Sequence, residues 1–107
     1  MPTLAQTSYT LTITGGNYQN TAPGTAFALP LQVTVVDEAG NPVSGAVVTF
    51  TAPGSGPSTR PVTFTATTGE DGAASATATA NFLAGAYGVT ASAGGGTTTL
   101  NPRNRYE

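Results

Sequence analysis

Apolar and polar residues alternate along most of the chain, and this spacing predicts β-strands. Side chains that alternate with a period of two point to opposite faces of a strand, which is typical of a half-buried sheet. No stretch has the three- and four-residue spacing of an amphipathic helix. Alternation covers seven segments, which are residues 9–14, 27–36, 46–51, 62–67, 73–80, 87–93 and 97–100. Turn residues separate them, so the sequence predicts an all-β domain, a sandwich of about seven antiparallel strands with Greek-key connections.

The inward-facing positions of these strands predict the hydrophobic core. Residues 73–80 alternate Ala with Ser or Thr, so this strand should add little volume to it. Phe82 and Leu83 follow that strand and are expected to fill the core from a corner. Pro30 cannot donate a ladder hydrogen bond, so it should mark an edge or a bulge. The predicted core residues are Leu11, Ile13, Leu31, Val33, Val35, Val48, Phe50, Phe64, Tyr87 and Val89.

The length predicts a single domain. A chain of 107 residues can bury one core without cross-links. We expect an N-terminal extension over residues 1–6, the sandwich over 7–100 and a C-terminal tail over 101–107. No apolar run approaches the roughly 20 residues of a membrane helix, so no membrane span is expected. Residues 1–7 lack the charged and apolar regions of a signal peptide. We therefore expect either a piece of a longer exported protein or another route to its location.

The composition removes whole classes of function. Cys, His, Trp and Lys are absent, so thiolate or imidazole metal sites, a Ser-His-Asp triad and a Schiff base are excluded. Charged residues make up 7% of the chain and the net charge is -2, which cannot supply the phosphate contacts of nucleic-acid binding. These absences predict a non-enzymatic protein with no cofactor and no nucleic-acid partner.

Three segments in order resemble the bacterial Ig-like domains of group 1, as found in invasin- and intimin-like adhesins. Residues 31–50 read LQVTVVDEAGNPVSGAVVTF, residues 68–73 read TGEDGA, and residues 84–91 read AGAYGVTA. The resemblance covers roughly residues 7–100 and implies an Ig-like β-sandwich. It also implies a rod that presents an adhesive domain at the bacterial cell surface. A function inferred from a fold family is an analogy and needs support from a site.

Several residues in the resembling segments have structural interpretations. Gly and Pro favour tight turns, because Gly tolerates positive φ and Pro fixes φ. Asp37 is expected to cap the amides of its turn. Tyr87 is expected to be the corner tyrosine of the sandwich, with its hydroxyl bonded to backbone. The other predicted structural residues are Gly40, Pro42, Gly45, Gly72 and Gly85.

Two adjacent acid pairs lie in predicted turns. They are Asp37 with Glu38 and Glu70 with Asp71. Such pairs could bind Ca²⁺ if the two turns approach each other. No spaced series of acids resembles a calcium loop, so solvated turn acids are the favoured interpretation and no metal is expected.

The remaining candidates are interaction residues on the surface. Tyr18 and Tyr106 could form the aromatic platform of a sugar site, and Arg60 could be a recognition point on a loop. Arg103 and Arg105 give the acidic body a basic tail. This tail could contact the acidic turns of a neighbouring subunit or could be a frayed end. The strand edges are rich in Thr and poor in charge, which favours pairing with a neighbour's edge.

The sequence favours an extracellular structural or spacer module of a bacterial surface adhesin or appendage. A first alternative is a self-assembling subunit of an extracellular filament or virion. A second alternative is a carbohydrate-binding module. The expected partners are neighbouring Ig-like domains or identical subunits, contacted through strand edges or termini.

Overall fold

The computed structural model describes residues 9–104 and shows an all-β protein. Within that range there is no helix that is long and apolar enough to cross a membrane. Ten strands follow one another along the chain. They are β1 (Thr10–Gly15), β2 (Asn20–Thr21), β3 (Leu31–Val36), β4 (Val47–Thr51), β5 (Thr63–Thr67), β6 (Ala73–Ala76), β7 (Gly85–Ala86), β8 (Val89–Ala93), β9 (Gly96–Leu100) and β10 (Arg103–Asn104).

Seven of these strands form two antiparallel sheets. One sheet has the order β1-β3-β6 and the other has the order β5-β4-β8-β9. The chain crosses from the first sheet to the second after β3 and returns after β5. Buried residues of both sheets form one hydrophobic cluster, as expected of a sandwich. The predicted all-β sandwich of about seven strands is therefore confirmed.

A third, small sheet was not predicted. It has the order β2-β10-β7, and each of its strands has two residues. The central strand β10 pairs antiparallel with β7 but parallel with β2. This sheet includes residues that the sequence assigns to the tail, and so packing continues past residue 100 as far as Asn104.

The core follows the alternation of the strands. In β3, Leu31, Val33 and Val35 are fully buried, while the residues between them are partly exposed. Each such burial stabilises the fold by about 1.5–3 kcal/mol. Phe50 lies opposite Phe64 across β4 and β5, and their rings stack with centroids 5.2 Å apart. Of the ten predicted core residues, all are buried except Ile13, Phe64 and Tyr87, which are partly buried and pack against the core.

The prediction for Phe82 and Leu83 is wrong. These side chains are 68% and 53% exposed. The backbone N–H of Leu83 donates to Oδ1 of Asn81 in a local turn, which directs the segment outward. The ring of Phe82 packs over Gly24, where a Cβ would collide with it. The corner that these residues were expected to fill contains buried polar groups instead, which we describe below.

The longest predicted strand is also shorter than expected, because β3 begins only at Leu31, directly after Pro30. The preceding Leu29 is exposed. Its backbone bonds to the side chain of Gln19, which accepts from the Leu29 N–H at 3.1 Å and donates to the Leu29 carbonyl at 2.7 Å. A side-chain amide thus replaces a strand partner at this point, as Pro30 disfavours a continuous ladder.

The described chain begins and ends at opposite poles of the sandwich. Thr10 at the start of β1 lies opposite Val36 at the end of β3, and the Tyr9 N–H donates to the Gly94 carbonyl at 3.2 Å. We call this end, with the turns at residues 37–42, 69–72 and 94–95, the N-terminal pole. Strand β9 runs away from it, and β10 lies at the other end. We call that end, with loops 16–30, 52–62 and 77–88 and segment 101–104, the C-terminal pole.

Candidate binding site at the C-terminal pole

The small sheet sorts its side chains into an inner and an outer set. Arg103 is the register partner of both Asn20 and Ala86, so these three residues form a row across the sheet. Asn104 is the next residue, and successive side chains of a strand point to opposite faces. Arg103 is accordingly exposed, whereas Asn104 is completely buried.

Asn104 is the centre of a buried hydrogen-bond network. Its Nδ2 lies within hydrogen-bonding distance of three acceptors, the carbonyl oxygens of Ser58 (3.1 Å) and Leu83 (2.9 Å) and Oδ1 of Asn81 (3.0 Å). Its Oδ1 accepts from the hydroxyl of Tyr87 at 2.8 Å. In the part of the chain that the structure describes, every buried side-chain polar atom has a partner. One amide therefore links the last described residue to two loops of the pole, 52–62 and 77–88.

The hydroxyl of Tyr87 has a different acceptor from the one expected. It bonds to the Asn104 side chain rather than to backbone, because β10 brings a buried amide into the corner beside the ring. The Tyr87 N–H donates to the Pro102 carbonyl at 3.3 Å, which fixes the ring near β10. Burial raises the pKa of Tyr87 to about 12, although the hydrogen bond to Asn104 acts in the opposite direction.

A shallow cleft of about 470 Å³ lies on the outer side of the small sheet. Its lining combines one aromatic ring, one guanidinium, two carboxamides and one methyl group. Residues two apart in an extended segment share a face, which places Asn101 with Arg103. Tyr18 lies in the turn that precedes β2 and reaches the cleft from there. The cleft is lined by Tyr18, Asn20, Ala86, Asn101 and Arg103.

Asn17 joins the two segments that form the cleft. Its Oδ1 accepts from the backbone N–H of Tyr18 at 3.0 Å and from that of Asn101 at 2.7 Å. Positions 17 and 101 are 84 residues apart in the chain, so this side chain bridges the loop after β1 to the segment before β10. Tyr18 itself has a φ of 59°, in the left-handed region, and its side chain is 76% exposed.

The structure brings together two of the interaction residues singled out from the sequence and separates a third from them. Tyr18 and Arg103 line the same cleft. Arg60 does not line it, because its guanidinium lies over the ring of Phe82, 4.6 Å from the centroid. Arg105 and Tyr106 lie outside the described residues. Their proposed contacts with a neighbour stay a prediction.

The acid pairs occupy the opposite pole. Asp37 Oδ1 accepts from the N–H groups of Ala39 (3.0 Å) and Asn41 (2.9 Å), and so caps its turn. Asp71 Oδ1 accepts from the Ala73 N–H at 3.1 Å, and Glu38 and Glu70 are exposed. Among residues 9–104 no three acidic side chains come close enough together to hold a metal ion.

The predicted structural glycines all have positive φ, and all lie at bends of the chain except Gly85, which is in β7. Gly72 has a φ of 79°, and a Cβ there would lie 2.6 Å from the Val35 carbonyl oxygen. Gly85 has a φ of 142°, and a Cβ there would lie 2.7 Å from Cγ of Pro57. Gly40 and Gly45 also have positive φ but face open space, and Pro42 forms a bridge with Val36.

Comparison with known proteins identifies one family. The family model for the bacterial Ig-like domain (group 1) matches residues 10–104, which is almost the whole described range. A search of curated proteins finds no significant match.

Proposed function

Because the chain belongs to the bacterial Ig-like domains of group 1, we propose that it is a structural spacer module of a surface adhesin or extracellular appendage. The family is non-catalytic and is found in bacterial surface proteins such as adhesins. Its location would then be the bacterial cell surface or the extracellular space, and its partners would be neighbouring Ig-like domains.

The observation that supports a spacer role is the placement of the two ends of the described chain. Residue 10 lies at the N-terminal pole and residue 104 at the C-terminal pole. A module of this kind can join others in a line, because each copy starts where the previous one stops. A domain with both ends at one pole would branch from such a line instead.

The attachment of the last strand adds stiffness. Pro102 and Asn104 are fully buried, and β10 is paired on both sides. The last described residues therefore belong to the body of the module and do not form a free linker. A following module would have less freedom to rotate than one attached through an unpaired tail.

The same topology suits a module that bears load. Pulling on the two ends displaces β1 along β3, to which it is paired antiparallel from Thr10 to Gly15. Several ladder hydrogen bonds then share the load in shear. The chain contains no cysteine, so ladders and packing must resist the force without disulfides.

Force spectroscopy on single molecules tests this proposal. The chain would be pulled through its two ends, and a matched variant would be pulled between the N-terminal end and a cysteine introduced as Ala39→Cys. Force would then act on the described fold at the start of β1 and at residue 39, both at the N-terminal pole, so β1 would separate from β3 one hydrogen bond at a time. We expect a clearly higher unfolding force for end-to-end pulling. Equal forces would contradict the load-bearing role.

A self-assembling subunit is the second candidate function, and the distribution of charge favours it. The two described Arg residues lie at the C-terminal pole, and four acidic residues lie at the N-terminal pole. Head-to-tail contacts between copies would pair opposite charges, and their strength would fall with salt. Sedimentation of the full chain at low and high salt tests this candidate. A strict monomer in both conditions would exclude it.

A further inference from the structure

We propose that the cleft between Tyr18 and Arg103 binds an acidic sugar residue, that is, a pyranose that carries a carboxylate. The proposal does not depend on the spacer function, because a module in a rod can carry a ligand site on its surface. It rests on four features of the cleft, which are the backbone at Tyr18, the rigidity of its loop, the placement of Arg103 and the mixture of chemical groups.

The backbone conformation of Tyr18 indicates that its ring serves a purpose at the surface. A positive φ is costly for a residue with a Cβ, and Gly or Asn adopts it more easily. Among the described residues there are nine other positive-φ positions, and all nine are glycine. A mostly exposed ring gains little from the core, so packing does not explain a tyrosine here. Strain of this kind is characteristic of functional sites.

The loop that carries the ring is fixed before any ligand arrives. Asn17 bonds to the N–H groups of both Tyr18 and Asn101. Gln19 Nε2 donates to the Gly16 carbonyl at 2.9 Å and to the Leu29 carbonyl at 2.7 Å. This side chain therefore holds the loop both to its own start and to the segment before β3. A preorganised site loses less conformational entropy on binding.

Arg103 supplies the charge that selects the ligand. It is the only charged residue of the cleft, and the other lining residues are uncharged. Its guanidinium presents donors in a planar fork, which matches a carboxylate with two parallel hydrogen bonds. Its side chain is exposed, and it lies between Asn20 and Ala86 in the row across the small sheet.

The other groups match the rest of a sugar ring. An aromatic face packs against the apolar C–H face of a pyranose, and carboxamides both donate to and accept from hydroxyl groups. The volume of the cleft lies within the range of about 300–1,000 Å³ that is usual for small-molecule sites. A simple anion would make no use of the Tyr18 ring. A purely aromatic ligand would make no hydrogen bonds with the carboxamides of Asn20 and Asn101.

Titration of the ¹⁵N-labelled full chain, followed by NMR, tests the proposal with three matched probes. Methyl glucuronide carries the carboxylate, methyl glucoside has the same ring without it, and acetate is the carboxylate alone. We expect saturable shifts at the amides of Tyr18, Asn20, Ala86 and Asn101 with the glucuronide. Binding of the glucoside should be at least about tenfold weaker, since it lacks a charge-assisted pair of hydrogen bonds. Acetate should not saturate the site over the same range.

Each alternative result would overturn the proposal. Equal affinity for glucoside and glucuronide would show that Arg103 does not recognise the carboxylate. Equal affinity for acetate and glucuronide would reduce the cleft to an anion site. The absence of shifts at the cleft with any probe would show that it does not bind sugars.

Three variants assign the binding to the cleft. Tyr18→Asn removes the ring but keeps a residue that tolerates the left-handed backbone, and Arg103→Gln removes the charge. Both should weaken glucuronide binding at least about tenfold, as expected when a stacking ring or a charged partner is lost. Arg60→Gln is the matched control, because Arg60 is the other described arginine and lies outside the cleft. Retained affinity in Tyr18→Asn, or an equal loss in Arg60→Gln, would contradict the assignment.

Discussion

The hydroxyl of Tyr87 donates a 2.8 Å hydrogen bond to the side-chain oxygen of Asn104, and this bond ties the last described strand to the sandwich. The amide nitrogen of the same Asn104 bonds to the loops that carry Ser58 and Leu83. A single buried carboxamide thus determines how the C-terminal pole is assembled. The same strand carries Arg103, which lines the outer cleft, and it holds the end of the described chain at this pole.

The first prediction concerns this amide. Asn104→Ala removes the hydrogen-bond partner of the Tyr87 hydroxyl and of the Leu83 carbonyl and leaves a cavity at a fully buried position, so it should lower the free energy of unfolding by about 2–4 kcal/mol. Urea denaturation measures the change. The control is Asn20→Ala, an exposed asparagine of the same small sheet, which should change stability by less than about 0.5 kcal/mol. Similar losses for the two variants would show that the network is not what stabilises the pole.

The second prediction is a loss of stability in alkaline solution. The pKa of Tyr87 is about 12 in the folded protein, above the value of about 10 for an unfolded tyrosine. The folded state therefore holds its proton more tightly than the unfolded state does. The resulting stabilisation is complete below about pH 10 and is lost as the pH rises towards about 12.

The size of this effect is modest because the ring is only about half buried. We expect a contribution of about 1 kcal/mol after allowing for solvent screening. Urea denaturation at several pH values between about 9 and 12 would measure it, and Tyr87→Phe is the control. The variant should lose less stability over this range than the natural chain. An identical pH dependence would show that another group is responsible.

The third prediction separates the strain at Tyr18 from the loss of its ring. Tyr18→Asn and Tyr18→Gly relieve the positive φ and should raise the free energy of unfolding by about 0.5–1 kcal/mol. Tyr18→Ala removes the ring equally but keeps the strain, so it should bring no such gain. Thermal unfolding of the three variants makes the comparison. A gain in Tyr18→Ala equal to that in Tyr18→Asn would contradict the assignment of strain.

The fourth prediction compares two glycines with similar backbone angles. Gly72 has a φ of 79° and Gly40 a φ of 86°. A Cβ at Gly72 would be forced against the Val35 carbonyl oxygen, whereas a Cβ at Gly40 would meet nothing within 4 Å. Gly40→Ala should cost about 1 kcal/mol through backbone strain alone. Gly72→Ala should cost at least about 2 kcal/mol more, because the clash is added to the strain. Equal losses in urea denaturation would mean that the turn at residue 72 can move.

The sandwich could be predicted because its seven main strands are encoded locally. Alternation at Leu31, Val33 and Val35 shows which face is buried, and the turn residues between strands show where each strand ends. The prediction failed where burial and residue type disagree. Phe82 is apolar but exposed, since a local turn at Asn81 directs it outward.

The candidate site could be predicted only in part. Tyr18 and Arg103 were singled out as unusual surface residues, but nothing local shows that they meet. Their meeting depends on the parallel pairing of β10 with β2, a contact between two segments that are far apart in the sequence. The burial of Asn104 was missed for a related reason. Leu100, Pro102 and Asn104 are buried at every second position, as in a strand. The sequence does not show this alternation, because two of the three buried residues are a proline and an asparagine.

The central claim is that tandem copies of this module extend in a line, because the described chain begins at one pole and ends at the other. Small-angle X-ray scattering on chains of one, two and three tandem copies of residues 1–107 measures this most directly. The account predicts that the maximum dimension grows by nearly the same length with each added copy. An increment that falls markedly from the second copy to the third would show that the copies fold back or move freely, and would contradict the claim.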